Sequence, residues 1–239
     1  MKYIFLIFSI LISFSLTGCL FKTTINGSGF VSEEQRSVSP FDKIEINGLF
    51  TVYLSQGDFE NVEVEIDDNL QEYVEVRNEG SKLVLGIDSK VNFGKITQNN
   101  IYITVKNIDL VRVSGVCNLK TQGPLKCTVL TFKVQGVFNG ELELFCDKLD
   151  ANIAGVSYVN LRGDATELNV KQTGVGAFNA MELNADRVNV KNSGAGSVSV
   201  YATQELSMIN SNAGSIKYSG NAEIKTNRSS GIGKIRKVE

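Results

Sequence analysis

From residue 43 onward, apolar and polar residues alternate with a period of two. Ile44-Glu45-Ile46, Thr51-Val52-Tyr53-Leu54, Val62-Glu63-Val64-Glu65-Ile66, Lys82-Leu83-Val84-Leu85 and Ile101-Tyr102-Ile103-Thr104-Val105 each send every second side chain to a common face. That is the mark of half-buried strands. The one helical turn the pattern allows lies near residues 67–73.

From residue 108 the chain repeats itself. A polar or small residue followed by Gly, with an apolar residue four positions after the Gly, recurs at Ser114-Gly115 with Leu119, Ala154-Gly155 with Val159, Thr173-Gly174 with Phe178, Ser193-Gly194 with Val198 and Ser230-Gly231 with Ile235. Gln135-Gly136 joins the series with Gly140 in the apolar slot, and Ser211-Asn212 joins it with Ile216. Successive units are 18 to 21 residues apart. Because Gly and Asn both tolerate positive φ, the shared slot is expected to be a left-handed turn. Six residues before it stand Leu130, Leu149, Leu168, Val188 and Leu206, and two residues later Phe132, Ala151, Val170, Val190 and Met208. Between these lie the polar residues Thr131, Asp150, Asn169, Asn189 and Ser207, so each unit carries a strand with an inward aliphatic face.

Units of about 19 residues cannot bury a face alone. The pattern predicts an all-β chain, a single-stranded parallel β-helix or solenoid with a β-rich N-terminal part. An antiparallel meander is the alternative, although it does not require constant spacing. In a solenoid, equivalent positions stack about 4.8 Å apart and become columns.

The N-terminus reads as an address. A basic start, Met1-Lys2-Tyr3, precedes an uncharged run over residues 4–16, too short to span a bilayer at roughly 20 residues per helix. The run ends in Leu16-Thr17-Gly18-Cys19, which resembles the bacterial lipobox. This predicts a lipoprotein signal peptide at 1–18, lipidation of Cys19, a tether at 19–29 and a head at 30–239, anchored to a membrane through lipid. Leu20 is not the Asp of an inner-membrane retention signal, so the outer membrane is favoured, with its periplasmic or surface face open.

Composition narrows the chemistry. The 239 residues include no His, which removes any mechanism that needs imidazole. With 24 basic and 26 acidic residues the field cannot gather a polyanion unless the basic residues share a face, so nucleic acid is not an expected partner. No cofactor motif stands out: the Gly-x-Gly turns at 174–176, 194–196 and 231–233 lack the strand-to-helix unit a phosphate cradle needs. Without His and without a Cys-x-x-Cys pair, zinc is not expected either. Cys127 and Cys146 align in neighbouring units at a spacing a bridge would accept, yet their column continues as Ala165, Ala185 and Thr203. A row of small residues with buried free thiols is the favoured reading.

Candidate surface residues remain. Lys133, Asn152, Lys171 and Lys191 form an outward column, read either as a solvated face or as a strip for anionic glycan or lipid headgroups. Asp147 and Asp186 align two units apart around Thr166, about 10 Å at the strand spacing, too far for a retaining glycosidase pair. Sugar platforms stack on exposed aromatics, and with Trp absent Tyr158, Tyr201 and Tyr218 are the candidates in the repeats.

The order of Asn26-Gly27-Ser28-Gly29, Phe41-Asp42-Lys43-Ile44-Glu45-Ile46-Asn47-Gly48, Val52-Tyr53-Leu54-Ser55-Gln56-Gly57, the repeated Gly turns and Tyr218-Ser219-Gly220-Asn221-Ala222 resembles the adhesin head GIN domain family, common among lipoproteins of the Bacteroidetes group. The resemblance implies a β-helical head and supplies no catalytic residues. The chain departs from the family's Ser-Gly-Ser-Gly turn at Gly115-Val116-Cys117 and Gly136-Val137-Phe138. The expected function is therefore a non-enzymatic envelope or adhesion module with a glycan or envelope protein as partner. A carbohydrate-active β-helix enzyme is the alternative.

Overall fold

The computed structural model describes residues 22–239. The signal segment 1–18 and the lipidation residue Cys19 lie outside the described residues. Strands dominate, and the expected helical turn is a 3-10 turn, Asp68–Tyr73. Among the described residues no helix is long and apolar enough to cross a membrane.

The N-terminal part is mixed. β1 (Thr23–Ile25) lies parallel to β8 (Val91–Phe93), so part of the segment read as a tether is docked on the head. β2 (Val31–Arg36) and β9 (Asn99–Val105) flank β5 (Asn61–Asp67) in antiparallel fashion, and β6 (Val74–Glu79) forms a hairpin with β7 (Lys82–Ile87). Asp67 is buried with its carboxylate accepting from Gly29 N–H, Thr97 N–H and the Thr97 hydroxyl at 2.8–2.9 Å. Asn69 accepts from Ser28 N–H and donates to the Asn26 carbonyl, so Asn26-Gly27-Ser28-Gly29 is clamped to the turn that follows β5.

The parallel solenoid begins earlier than the repeats suggested. β3 (Lys43–Ile46) and β4 (Leu49–Gln56) pair in parallel with β10 (Leu110–Val113) and β11 (Val116–Thr121), so the first rung turns at Gly48. The strands from β5 to β9 intervene in the chain between these two rungs, and β7 and β9 pair in parallel with β3 and β4 as a further layer on their other side, which hides the period there. The chain then winds through β12 (Leu125–Val134), β13 (Val137–Ile153), β14 (Val156–Gln172), β15 (Val175–Asn192) and β16 (Ser197–Ser211), about seven turns in all. β17 (Ser215–Ser219), β18 (Glu223–Ser230) and β19 (Ile235–Lys237) close the stack. From β10 onward the ladders are parallel, which excludes the meander.

The predicted columns are the observed register. Leu130, Leu149, Leu168, Val188 and Leu206 pair in succession, and Val159, Phe178 and Val198 do the same on the strand after the turn. These side chains fill one continuous core along the axis. Gly140, in an apolar slot, leaves room for the Phe138 ring, which a Cβ there would strike. The longer unit between Gly174 and Gly194 is absorbed by bulges after Asn160 and Ala180.

Two expectations are corrected. Of the turn slot, only Asn212 (φ 69°) and Gly231 (φ 103°) have positive φ. At Gly115, Gly136, Gly155, Gly174 and Gly194 the constraint is contact: a Cβ would land inside the carbonyl oxygen of the preceding rung's glycine, beginning with Gly48. Cys127 and Cys146 are joined in a disulfide rather than free, because the register sets them directly opposite with Cα atoms 4.7 Å apart. Their column continues through Ala165 and Ala185 to Ala202 instead of Thr203, after which the register shifts. Cys117 is a buried free thiol, pushed up to about 12 by burial.

Candidate functional site

Strand alternation sends Lys133, Asn152, Lys171 and Lys191 outward, and parallel stacking sets them in one ladder: Lys133 faces Asn152, Asn152 faces Lys171, and Lys171 faces Lys191. Arg112 extends the row on the Lys133 side. Arg112 stands three residues before Gly115 as Lys133 does before Gly136, a phase the sequence reading followed only from Lys133 onward. The ladder edges a shallow groove of about 640 Å³, whose opposite edge carries Thr131, Asp150, Asn169 and Asn189.

The two edges differ in electrostatics. On the far edge the amides are tied rung to rung: Asn169 Nδ2 donates to Asp150 at 2.8 Å, and Asn189 Nδ2 donates to Asn169 at 3.0 Å. Asn169 also donates to Glu167, and with Lys148 nearby this bond outweighs burial and holds the Glu167 carboxyl below its ordinary value. On the near edge, among the described residues, Lys133, Lys171, Lys191 and Arg112 form no ion pair. Stacked cations about 5 Å apart repel by about 0.8 kcal/mol even at the dielectric of water. Their chemistry is that of a row of donors open to anionic oxygens.

The candidate acids lie on another face. Asp147 and Asp186 line a depression of about 350 Å³ together with Asp164, which alignment of the Asp147 column alone did not reveal. Asp164 accepts from Asn184 at 3.0 Å and Asp186 from the Thr203 hydroxyl at 2.9 Å. No lysine or arginine lines that depression. Of the tyrosines, Tyr158 is 61% exposed, whereas Tyr218 packs against the core.

Comparison with known proteins agrees with this architecture. The family described as "Putative auto-transporter adhesin, head GIN domain" matches residues 40–222. A crystal structure of a "putative adhesin" from Bacteroides fragilis is 26% identical with a TM-score of 0.85, covering 90% of this chain and 100% of that one. A "putative lipid binding protein" from Parabacteroides distasonis (22% identity, TM-score 0.70, 91% and 100% covered) and a "putative adhesin" from Parabacteroides merdae (22%, 0.64, 91% and 100%) share the fold. Among curated proteins, none matches. With three quarters of its length matched and its solenoid shared, the chain belongs to the adhesin head GIN domain family.

Proposed function

We propose that the protein is a non-enzymatic, lipid-anchored head of the cell envelope that binds an anionic partner along the Lys133, Asn152, Lys171 and Lys191 ladder. The observation that carries this reading is the row of lysines stacked in register on one face, none of which forms an ion pair among the described residues. Cys19 supplies the anchor and the outer membrane the location, on the lipobox reading of residues 16–19. The depression at Asp147, Asp164 and Asp186 is what favours the alternative, a carbohydrate-active enzyme. Against it, Asp164 and Asp186 are each already engaged by a neighbouring side chain, Asn184 and the Thr203 hydroxyl.

The test has two arms. The chain from residue 22 to 239 is expected to bind anionic polysaccharides in a salt-sensitive manner, weakened by Lys133→Gln with Lys171→Gln and unchanged by Asp147→Asn or Asp186→Asn. Release of reducing ends or unsaturated uronate that disappears in either Asp variant would make those carboxylates a catalytic site. In cells, full-length protein is expected to take up labelled fatty acid and Cys19→Ala to take up none; labelling of the variant would end the anchor reading.

A further inference from the structure

Beside the cationic ladder, a row of aliphatic side chains stands in water. Leu49, Val116, Val137, Val156 and Val175 are in register on successive rungs and are 50, 43, 48, 45 and 49% exposed. Each follows a stacked glycine directly, and the next residue points inward (Phe50, Cys117, Phe138 and Ser157 are buried), so alternation turns the aliphatic outward. The core has no place for these side chains, and contiguous apolar patches of a few hundred Å² mark interaction sites.

The row is tied to the cations by chain position. Four residues before each valine of the row stands a member of the ladder: Arg112 before Val116, Lys133 before Val137, Asn152 before Val156 and Lys171 before Val175, with Lys191 likewise before Ala195; on the rung of Leu49 that position is the acid Glu45. Four residues reach at most about 14 Å, so both rows run along one corner. The row between them, Ser114, Gln135, Ala154, Thr173 and Ser193, carries no charge. The nearest acids are Glu45, in register with Arg112, and Asp150, across the groove and bonded to Asn169. Tyr158 adds an exposed amphipathic ring two residues beyond Val156.

We propose that this corner docks flat on an anionic lipid bilayer. In this arrangement the aliphatic row sits at the boundary of headgroups and acyl chains, and Lys133, Lys171 and Lys191 extend their stems to lay the amines on headgroup phosphates. The shape and charge favour this occupant. The ridge is one residue wide, and the hollow of about 190 Å³ beside it is lined chiefly by polar side chains, among them Arg112, Lys133, Gln135, Asn152, Lys171 and Thr173. A polyanion in solution would neutralise the lysines but leave the ridge in water. A bilayer surface presents diffuse negative charge above an apolar layer, matching both rows at once. The inference rests on the envelope-anchored reading above. The ridge starts on the rung of β4, which stacks between β11 and β9.

The chain from 22 to 239 holds all the described strands and lacks Cys19, so binding through the corner can be read by co-sedimentation with vesicles. It is expected to sediment with equal-part phosphatidylcholine and phosphatidylglycerol vesicles and to stay in solution with phosphatidylcholine alone. Replacing Lys133, Lys171 and Lys191 together by Gln should weaken binding on the order of a hundredfold, about fivefold per charge. Val137→Ser with Val156→Ser should weaken it about tenfold and leave the far-ultraviolet spectrum and thermal midpoint near the parent's. Absence of vesicle binding by the parent, or full binding by a correctly folded Val variant, overturns the inference. If the parent binds soluble polygalacturonate through its lysines and ignores vesicles, the docking inference falls while the proposed function stands. If it binds neither, both fall.

Discussion

A methyl group is all that separates alanine from glycine, and along the corner of this solenoid there is no room for one. A Cβ on Gly155 would sit on the carbonyl oxygen of Gly136, and Gly136 bears the same relation to Gly115. Gly155→Ala must therefore push two rungs apart, costing on the order of 2–4 kcal/mol. Gly86→Ala is the control, because its Cβ would meet only Glu75 side-chain atoms at ordinary contact distance. A denaturant titration should show a large loss for the first and little change for the second; equal midpoints would refute the stacking argument. Asp67 gives a second residue-level test. Burial alone would push its carboxyl up, but the hydrogen bonds from Thr97 and Gly29 win and hold it below the ordinary carboxylate value. A group depressed in the folded state stabilises above its unfolded pKa, near 4, and that stability is lost as pH falls through the folded value. Asp67→Asn should lower the thermal midpoint at neutral pH and flatten its decline below about pH 4. A variant whose midpoint falls as steeply in acid as the parent's would show that Asp67 is not the linked group.

At the scale of elements, the bond between β12 and β13 closes a loop of 19 residues, a constraint felt by the denatured chain. Reduction should cost about 3 kcal/mol, and Cys127→Ala with Cys146→Ala should reproduce the loss. Alkylation of the native oxidised chain from 22 to 239, which lacks Cys19, should find no reactive thiol, since Cys117 is buried with its pKa pushed up to about 12; rapid labelling before unfolding would contradict its placement. The sequence reading named the two bridged residues as neighbours and still favoured free thiols. Alignment locates a pair, but the alanines continuing the column report only that the space is small. Likewise, the glycines of the turn were legible as a requirement while its cause was not. Positive φ depends on one residue, whereas a clash with the next rung exists only after stacking.

Taken as a whole molecule, the repeating part could be read almost residue by residue, because a solenoid writes the same inward and outward choices once per turn. The N-terminal part could not. Asn47-Gly48-Leu49 opens the first rung just as Ser114-Gly115-Val116 opens the second, but the intervening strands break the spacing. The lysine row was visible because its members share one phase of the period. The aliphatic row was read as part of the turns, since residues beside glycine are ordinarily taken to be loop. Every row on the surface is counted by the same turn, and the stacked glycine makes each rung an acceptable floor for the next. Duplicating one unit would therefore lengthen the cationic row, the aliphatic row and the core in a single step. An insertion too long for a bulge to absorb would put lysines over valines and a side chain where the glycine must be. For such a protein the core and every surface row lengthen together, one whole stair at a time.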